Sequence, residues 1–260
     1  MLADQPDEIR AVHAAYARAG ARVLISASYQ VSREGFVATG RTPEEADVAL
    51  RTSIALAREA AATTGALVAA SVGPFGAIRH DGSEYTGRYG VSHDRLVDFH
   101  AERLQVLVDA GPDLLAIETI PDADEVSALV EVLAAFPHVP AWLSMSCRDA
   151  ASTCAGQPVE EAAAIAAEAP SILAIGVNCT PPHYVAPLLE RLSAASDLAL
   201  VAYPNAGRAW DPATGWQGEG QESGADLVRA WSAIDGVRLI GGCCGVGPES
   251  IARIAAALNP

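Results

Sequence analysis

Two adjacent cysteines near the end of the chain, Cys243 and Cys244, are the residues best suited to do chemistry. They follow an apolar segment and are flanked by glycines in Gly241-Gly242-Cys243-Cys244-Gly245. Neighbouring side chains of an extended strand point to opposite faces, so both sulfurs reach one point only if the backbone turns, which glycine permits. Two sulfurs are too few for a tetrahedral zinc site. The best candidate for a third ligand is Cys179, which ends another apolar segment.

Two other interpretations of the adjacent cysteines remain open, an ordinary buried pair and a strained vicinal disulfide. Three features favour a metal site instead. The pair follows the end of a predicted strand, its glycines leave room for a ligand, and Cys179 occupies the matching end of an earlier strand. Cysteine clusters in intracellular proteins are more often metal sites or catalytic than disulfides, so we predict Zn²⁺ at these three residues.

The composition excludes several classes of protein. At 260 residues and 50% apolar content, the chain is long enough for one large domain with a sizeable core. It has no apolar run of about 18 residues and no secretory leader, so we expect a cytoplasmic protein with no membrane partner. Five cysteines make a poor disulfide framework. A formal net charge of -15 argues against a nucleic-acid partner, since phosphates require a basic face, and we interpret it as a solubility feature.

Segments of strand and helix character alternate along the chain. Thr42-Pro43-Glu44-Glu45, for example, combines an N-cap, a proline at the first helical position and a capping box. Strands are predicted at Val23–Gln30, Ala66–Val72, Asp113–Thr119, Ala141–Cys147, Ile172–Cys179, Leu198–Tyr203 and Val237–Gly242. Helices are predicted at Asp7–Ala19, Thr42 to about Thr63, Ser92–Ala110, Asp122–Ala135, Pro158–Glu168, Pro182–Ala195, Ser223–Ile234 and Pro248–Leu258. Between the last two strands, a Gly-rich loop is predicted at Pro204–Gln221.

This alternation predicts one α/β domain, residues 1–260, with a parallel sheet covered by helices. A closed (β/α)8 barrel needs eight strands, each followed by its helix. The chain has seven predicted strands and begins with a helix. We therefore predict a (β/α)8 TIM barrel that lacks its first strand in this chain.

Polar and reactive residues are concentrated at the carboxyl ends of the predicted strands. In parallel α/β barrels the chemistry gathers at that end, so these residues should meet at one mouth. They are Tyr29-Gln30, Gly73-Pro74, Glu118-Thr119, Cys147-Arg148, Asn178-Cys179, Pro204-Asn205 and Cys243-Cys244.

With these residues in view, the chain resembles the homocysteine S-methyltransferase family over essentially its whole length. The paired cysteines with the upstream Asn178-Cys179 are the most specific part of the resemblance. Gly73–Gly76 and Asp81–Tyr85 look like the branch of the family that takes sulfonium donors. The matching segments are Ala19-Gly20-Ala21, Ser26-Ala27-Ser28-Tyr29-Gln30, Ser71-Val72-Gly73-Pro74-Phe75-Gly76-Ala77, Asp81-Gly82-Ser83-Glu84-Tyr85, Phe99-His100, Glu118-Thr119, Gly176-Val177-Asn178-Cys179, Tyr203-Pro204-Asn205 and Gly241-Gly242-Cys243-Cys244-Gly245.

The resemblance implies a zinc-dependent enzyme that methylates homocysteine to methionine, with S-methylmethionine or S-adenosylmethionine as the sulfonium donor. The zinc ligands that it implies are Cys179, Cys243 and Cys244. It also implies that Glu118 holds the homocysteine amino group and that Tyr29 lines the site. Asn205 matches a position that can occupy the fourth zinc site in some relatives, and we group it with the substrate-binding residues.

The expected chemistry agrees with this activity. A free thiol has a pKa of about 8.5 and is mostly protonated at neutral pH, whereas coordination to zinc deprotonates it. Homocysteine bound as the fourth ligand would be a thiolate, suited to in-line attack on the methyl group of a cationic sulfonium. The leaving group is a neutral thioether that needs no proton. We therefore predict no catalytic residue beyond the zinc-activated substrate thiolate.

Other residues have structural interpretations. A carboxylate that follows an apolar segment needs a partner, and for Glu118 the alternative to a substrate ammonium is Arg148. Cys147 is interpreted as a buried filler and Cys154 as a free thiol without a role. The histidines of predicted helices are interpreted as packing or surface residues: His13, His93 and His100.

Two further expectations concern activity and the start of the chain. Methyl transfer to a related thiol or selenol is the alternative reaction, and a zinc-binding but inactive relative is the alternative class. Members of the family begin about one strand and loop earlier. We therefore expect an N-terminally shortened form with lower stability and poor activity, which self-associates through the open edge of its barrel.

Overall fold

The computed structural model describes residues 2, 4–211, 214–217, 220 and 223–258, and its central element is one parallel sheet of seven strands. Its strands are β1 (Val23–Ile25), β2 (Leu67–Val72), β3 (Leu114–Ile120), β4 (Ala141–Met145), β5 (Ile172–Asn178), β6 (Ala199–Tyr203) and, after the hairpin β7 (Ala209–Asp211) and β8 (Gly215–Gln217), β9 (Val237–Ile240). The helices are α1 (Pro6–Arg18), α2 (Arg33–Ala38), α3 (Pro43–Ala61), α4 (His93–Asp109), α5 (Ala123–Leu133), α6 (Val159–Ala166), α7 (Pro182–Ala195), α8 (Ala225–Ser232) and α9 (Pro248–Leu258). Two 3-10 helices cover Phe75–Ile78 and Ser83–Tyr85.

Each strand of the sheet pairs in parallel with the strands next to it in the order β1-β2-β3-β4-β5-β6-β9. The predicted barrel of α/β type, one strand short of eight, is thus confirmed. Small side chains and two large aromatic ones fill the inner face of the curled sheet, and the larger core lies between the sheet and the helices. The inner cluster consists of Ala69, Ala116, Trp142, Ala174, Val201 and Tyr203.

The two outer strands of the sheet, β1 and β9, do not pair with each other. Their edges border a cavity of about 540 Å³ whose walls also include residues of α1 and α9. Trp142 and Tyr203 line the same cavity from the inside of the sheet. The open edge predicted from the strand count is therefore present in the described part of the chain.

The first strand ends earlier than predicted, at Ile25 rather than Gln30. The amide of Ser26 still donates to the carbonyl of Ala69 at 2.9 Å, but the chain then turns, and Val31 N donates to Ser28 O at 3.0 Å. The hydroxyls of Ser26 and Ser28, 2.8 Å apart, bond to each other. Ser71 N donates to Ser26 Oγ at 3.0 Å, and Ser28 Oγ donates to Ser71 O at 2.8 Å. Serine side chains therefore replace the strand ladder at this point, which accounts for the early turn.

Five short elements were not predicted: helix α2, the two 3-10 helices, and the strands β7 and β8. Helix α2 begins after Ser32, whose hydroxyl accepts a hydrogen bond from Gly35 N at 3.0 Å. The predicted loop 204–221 contains the hairpin of β7 and β8 in its described part. All five carry too few residues for a periodic pattern.

The start of α3 follows its sequence signature. Glu45 N donates to Thr42 Oγ1 at 3.2 Å, and Thr42 N donates to Glu45 Oε2 at 2.8 Å. This capping box satisfies two amides that the helix leaves unpaired, and such a cap contributes about 1 kcal/mol. Among the described residues, no helix combines the length and the apolar character needed to cross a lipid bilayer.

Candidate active site

The three predicted cysteines lie together beyond the carboxyl ends of β5 and β9. Their Sγ atoms are all within 4.8 Å of one another, and those of Cys179 and Cys244 are 3.5 Å apart. Sulfur ligands of a tetrahedral zinc ion, with bonds of about 2.3 Å, would be roughly 3.8 Å apart. The spacing therefore fits a metal ion. Cys243 and Cys244 are free thiols, so the vicinal disulfide is not observed.

Tight backbone packing brings the two adjacent cysteines to one point. The amide of Cys243 donates to the carbonyl of Pro204 at 2.8 Å, which ties the turn after β9 to the end of β6. A Cβ added at Gly242 would lie 2.2 Å from a methyl carbon of Val246, so only glycine fits there. The interpretation of the flanking glycines as a turn is confirmed at Gly245, whose φ of 80° lies in the left-handed region, and Val246 N donates to Cys243 O at 3.1 Å across this turn.

The third cysteine has an unusual backbone. Cys179 has a φ of 47°, in the left-handed region that non-glycine residues rarely adopt. Such a conformation costs about 1 to 3 kcal/mol and persists only where its surroundings fix it. Here the amide of Cys179 donates to Tyr203 O at 3.2 Å, and its carbonyl accepts from Asn205 Nδ2 at 3.2 Å. These two contacts hold the Cys179 backbone in its strained conformation.

Hydrogen bonds within the cluster distribute negative charge unevenly over the sulfurs. Donation from the thiols of Cys179 and Cys243 lowers the pKa of Cys244 to about 3. The bond between Cys179 and Cys243 is the main cause that raises the pKa of Cys243. The hydrogen bonds from the neighbouring thiols thus favour the charged form of Cys244. A metal dication would favour the thiolate at all three.

Two further polar groups contact the sulfurs: Asn178, which was expected at the mouth but given no role, and Tyr85, which was not predicted as a site residue. The hydroxyl of Tyr85 lies 3.4 Å from Cys179 Sγ, and Asn178 Nδ2 lies 3.8 Å from Cys243 Sγ. The amide oxygen of Asn178 accepts from Thr119 N at 2.7 Å, which fixes the orientation of that side chain. Both groups are donors that stabilise negative charge on sulfur.

The predicted substrate carboxylate, Glu118, is 8% exposed and lies on β3. Its Oε1 accepts from Ser71 Oγ at 2.5 Å, and Tyr203 provides a second hydrogen bond. Burial raises the pKa of Glu118 to about 7. Arg148, the alternative partner, is 55% exposed and pairs with Asp149 at 3.4 Å. Within the described residues, Glu118 therefore has hydroxyl partners and no ion pair.

Tyr29 lies between these groups. A Cβ added at Gly73 would be 2.6 Å from the Tyr29 ring, so the ring packs directly on that glycine. The Tyr29 hydroxyl bonds to Thr119, and burial raises the pKa of Tyr29 well above its ordinary value, with smaller effects from the charges of Cys179 and Glu118. The charges of Cys179 and Glu118 act on Tyr29, and its role in lining the site stays a prediction.

Asn205 is close to the cluster but is occupied by the backbone. Its Nδ2 donates to Cys179 O at 3.2 Å, and its Oδ1 accepts from Gly207 N at 2.8 Å. In this arrangement the side chain supports the strained residue Cys179.

A second buried carboxylate was not predicted. Glu84 belongs to the 3-10 helix Ser83–Tyr85 and is 8% exposed. Its Oε2 has no hydrogen-bond partner. Burial raises the pKa of Glu84, and the negative charges of Asp81 and Cys244 raise it further. The resemblance linked its segment, Asp81–Tyr85, to sulfonium donors but gave Glu84 no role, because the loop after β2 has no periodicity that would place this residue over the mouth.

The other cysteines and histidines have structural positions. Cys147 is buried in the main core, as predicted. His100 Nε2 lies 2.8 Å from Glu125 Oε1 inside the protein, and His93 pairs with Glu131 at the surface. The interpretation of these histidines as packing and surface residues is confirmed.

Several known proteins are similar to this chain in sequence or in fold. A family model described as homocysteine S-methyltransferase matches residues 1–258. The chain is 40% identical over 269 residues to the homocysteine S-methyltransferase YbgG of Bacillus subtilis, covering 98% of this chain and 85% of that protein. It is 37% identical over 276 residues to a selenocysteine Se-methyltransferase of Brassica oleracea, covering 97% and 80%. The metallated crystal structure of the homocysteine methyltransferase MmuM from Escherichia coli resembles it with a TM-score of 0.87 and 39% identity, over 98% and 86% of the two chains. The chain therefore belongs to the homocysteine S-methyltransferase family of enzymes.

Proposed function

We propose that residues 1–260 act as one homocysteine-binding barrel domain that transfers a methyl group from a sulfonium donor to homocysteine. The observation that carries this proposal is the group of three cysteine sulfurs within 4.8 Å of one another, close to buried carboxylates. The family membership supports homocysteine as the methyl acceptor. The chemistry of the cysteine cluster supports a bound metal and a sulfonium donor.

The proposed metal is Zn²⁺, held by Cys179, Cys243 and Cys244. Three soft thiolate donors with near-tetrahedral spacing suit zinc, and a site with three protein ligands keeps a position for substrate. When bound, the ion would keep a substrate thiol deprotonated at neutral pH. Asn178 and Tyr85 would orient the sulfurs and stabilise their charge.

Substrate binding is proposed for Glu118, Tyr29 and Asn205. The ammonium group of homocysteine would give Glu118 the cation that its surroundings lack, and the hydroxyls of Ser71 and Tyr203 would hold the carboxylate in place. Tyr29 would form the wall between that ammonium and the sulfurs. Asn205 would act through the Cys179 carbonyl that it binds.

The transfer itself moves no proton. A lone pair of the homocysteine thiolate forms the new S–CH₃ bond, and the old S–CH₃ bond of the donor breaks. Its electron pair stays on the donor sulfur, which becomes a neutral thioether. S-methylmethionine and S-adenosylmethionine both meet this requirement. No general acid or base is needed, so binding and orientation are the work of the protein.

A related thiol or a selenol is the second candidate acceptor. The Brassica oleracea relative, named as a selenocysteine Se-methyltransferase, is 37% identical to this chain and supports this alternative. A selenol is more acidic than a thiol and would need less activation.

We also propose a cytoplasmic location and self-association through the edges of β1 and β9. A cluster of reduced thiols is suited to a reducing compartment. Unpaired strand edges are templates for pairing with another chain.

The test is an assay of methionine formation from homocysteine with S-methylmethionine and S-adenosylmethionine supplied separately, together with selenocysteine as a competing acceptor. Protein with one equivalent of zinc should be active with at least one sulfonium, and a chelator should abolish the activity. Binding of zinc without transfer from either donor to either acceptor would contradict the proposal and identify an inactive zinc-binding relative.

A further inference from the structure

We infer that Glu84 binds the positively charged sulfonium of the methyl donor, an inference that rests on the proposed function. Glu84 precedes Tyr85, whose hydroxyl lies 3.4 Å from Cys179 Sγ. The 3-10 helix Ser83–Tyr85 therefore lies beside the sulfur cluster, and the charge of Cys244 acts on the Glu84 carboxylate. This carboxylate is separate from Glu118, which lies on a strand of the barrel wall.

The carboxylate of Glu84 is only partly compensated, because its own backbone amide donates to it but no ion pair with it is present among the described residues. It is 8% exposed, and its Oε2 has no hydrogen-bond partner. A buried carboxylate is costly unless it is paired or hydrogen-bonded, so proteins keep such a group where a ligand completes it. A sulfonium has no N–H or O–H to donate and attracts a carboxylate by charge alone. An acceptor oxygen that no donor of the protein occupies is suited to that ligand.

The backbone of Glu84 is fixed, so the side chain cannot simply move into solvent with its loop. A Cβ added at Gly76 would lie 2.6 Å from the Glu84 amide nitrogen, which shows how closely the two loop segments pack. The Ser146 hydroxyl donates to Glu84 O at 3.3 Å. The loop between β2 and α4 is thus attached to β3 and β4 at this residue.

The charges around Glu84 favour a cationic ligand. Asp81 and Cys244 act on it as negative neighbours, and His80, whose effect lies between theirs in size, opposes them. The charges of Glu84 and Glu118 both act on the hydroxyl of Tyr29, so both carboxylates lie in the neighbourhood of that hydroxyl. Homocysteine brings its ammonium to Glu118 under the proposed function. The second carboxylate is then available for the second substrate, whose sulfonium must approach the acceptor sulfur.

An ion pair with the sulfonium affects binding more than chemistry. The donor sulfur loses its positive charge as the methyl group leaves, so Glu84 stabilises the bound donor more than the transition state. Its loss should raise the KM for the donor and leave kcat unchanged or higher. The neutral thioether product is not attracted to Glu84, which also favours its release.

The experiment compares Glu84→Gln with wild type and with Glu118→Gln in zinc-loaded protein. Glu84→Gln should raise the donor KM about tenfold or more, while the homocysteine KM stays within about twofold. In Glu118→Gln, by contrast, the homocysteine KM should rise while the donor KM stays nearly unchanged. In calorimetry, wild type should bind S-methylmethionine more tightly than methionine, its neutral thioether counterpart, and Glu84→Gln should lose this preference.

The outcomes separate the inference from the proposed function. An active wild type whose Glu84→Gln variant keeps its donor KM and its preference for the sulfonium overturns the inference alone. A wild type that neither transfers methyl groups nor prefers the sulfonium overturns both. Zinc content and melting temperature of Glu84→Gln should match or exceed those of wild type, because the change removes an unpaired buried charge and no metal ligand. A variant that loses zinc or unfolds identifies Glu84 as structural and also overturns the inference.

Discussion

The two edges of β9 differ sharply. On one side, β9 pairs with β6, and the chain around β5 and β6 is so closely packed that a Cβ at Gly176 would lie 1.7 Å from the carbonyl oxygen of Val201. On the other side, β9 faces β1 across a cavity of about 540 Å³. The three cysteines follow β5 and β9, so the site depends on the packed side. On the open side, the cavity between β9 and β1 leaves space in which the structure can change.

The largest effect is expected from Cys179→Ser on the packed side. It removes one of three sulfurs and should lower zinc from about one ion per chain to nearly none, with loss of methyl transfer of at least about 100-fold. Metal analysis of the purified variant measures this directly. Cys154→Ser, a cysteine outside the cluster, is the matched control and should keep its zinc. Undiminished zinc in Cys179→Ser would show that the three-ligand site is wrong.

Glu118→Gln should weaken homocysteine binding by about 2 to 5 kcal/mol, the range for removing one partner of a buried charge pair. The zinc content should not change. Equilibrium binding of homocysteine to zinc-loaded protein gives the measurement. Loss of zinc or of the fold in this variant would make Glu118 a structural residue.

The same variant should change the pH dependence of stability. Because the pKa of Glu118 is raised to about 7 in the folded protein, the folded state binds more protons than the unfolded state between about pH 4.5 and 7. Stability therefore falls as pH rises through this window, by up to about 3 kcal/mol from this group. Denaturation of the substrate-free protein at several pH values should show a smaller fall in Glu118→Gln. An unchanged pH profile would contradict the burial argument.

Gly176→Ala tests how rigid the packed side is. The added methyl has no space beside Val201 O, so the free energy of unfolding should fall by about 3 kcal/mol. Gly247→Ala is the control, because an added Cβ there meets no atom within 4 Å, and its effect should stay within about 0.5 kcal/mol. Urea denaturation compares the two. Equal losses of unfolding free energy in the two variants would mean that the structure around Gly176 adjusts to an added methyl group as easily as the structure around Gly247 does.

The smallest effect is expected at the open side. A lysine on an unpaired edge opposes pairing with another chain, so Leu239→Lys on β9 should reduce self-association without loss of zinc. Sedimentation velocity over a range of concentrations measures it. Leu173→Lys, an exposed position at the start of β5, adds the same charge away from the edge and should leave association unchanged. If both variants associate like wild type, the open edge is not the interface.

The sulfur cluster was predictable from sequence because parallel strands bring their carboxyl ends to one side, whichever side chains they carry. The strand count and the open edge followed from the same regularity. The shorter β1 was not predictable, since it depends on the hydrogen bonds that the Ser26 and Ser28 hydroxyls make to the backbone of Ser71. Glu84 and Tyr85 were missed as site residues for another reason. Nothing in their spacing shows that the loop after β2 folds back over the mouth.

The left-handed backbone of Cys179 has a consequence for the life of the protein in the cell. In small zinc proteins, ligation drives the folding of the chain, and removal of the ion unfolds it. Here Tyr203 and Asn205 already hold the strained cysteine by hydrogen bonds, independently of any ion. The site is thus pre-shaped, so we expect the proposed zinc ion to exchange while the barrel stays folded. We expect the amount of working enzyme to follow the supply of free zinc, reversibly and without new synthesis.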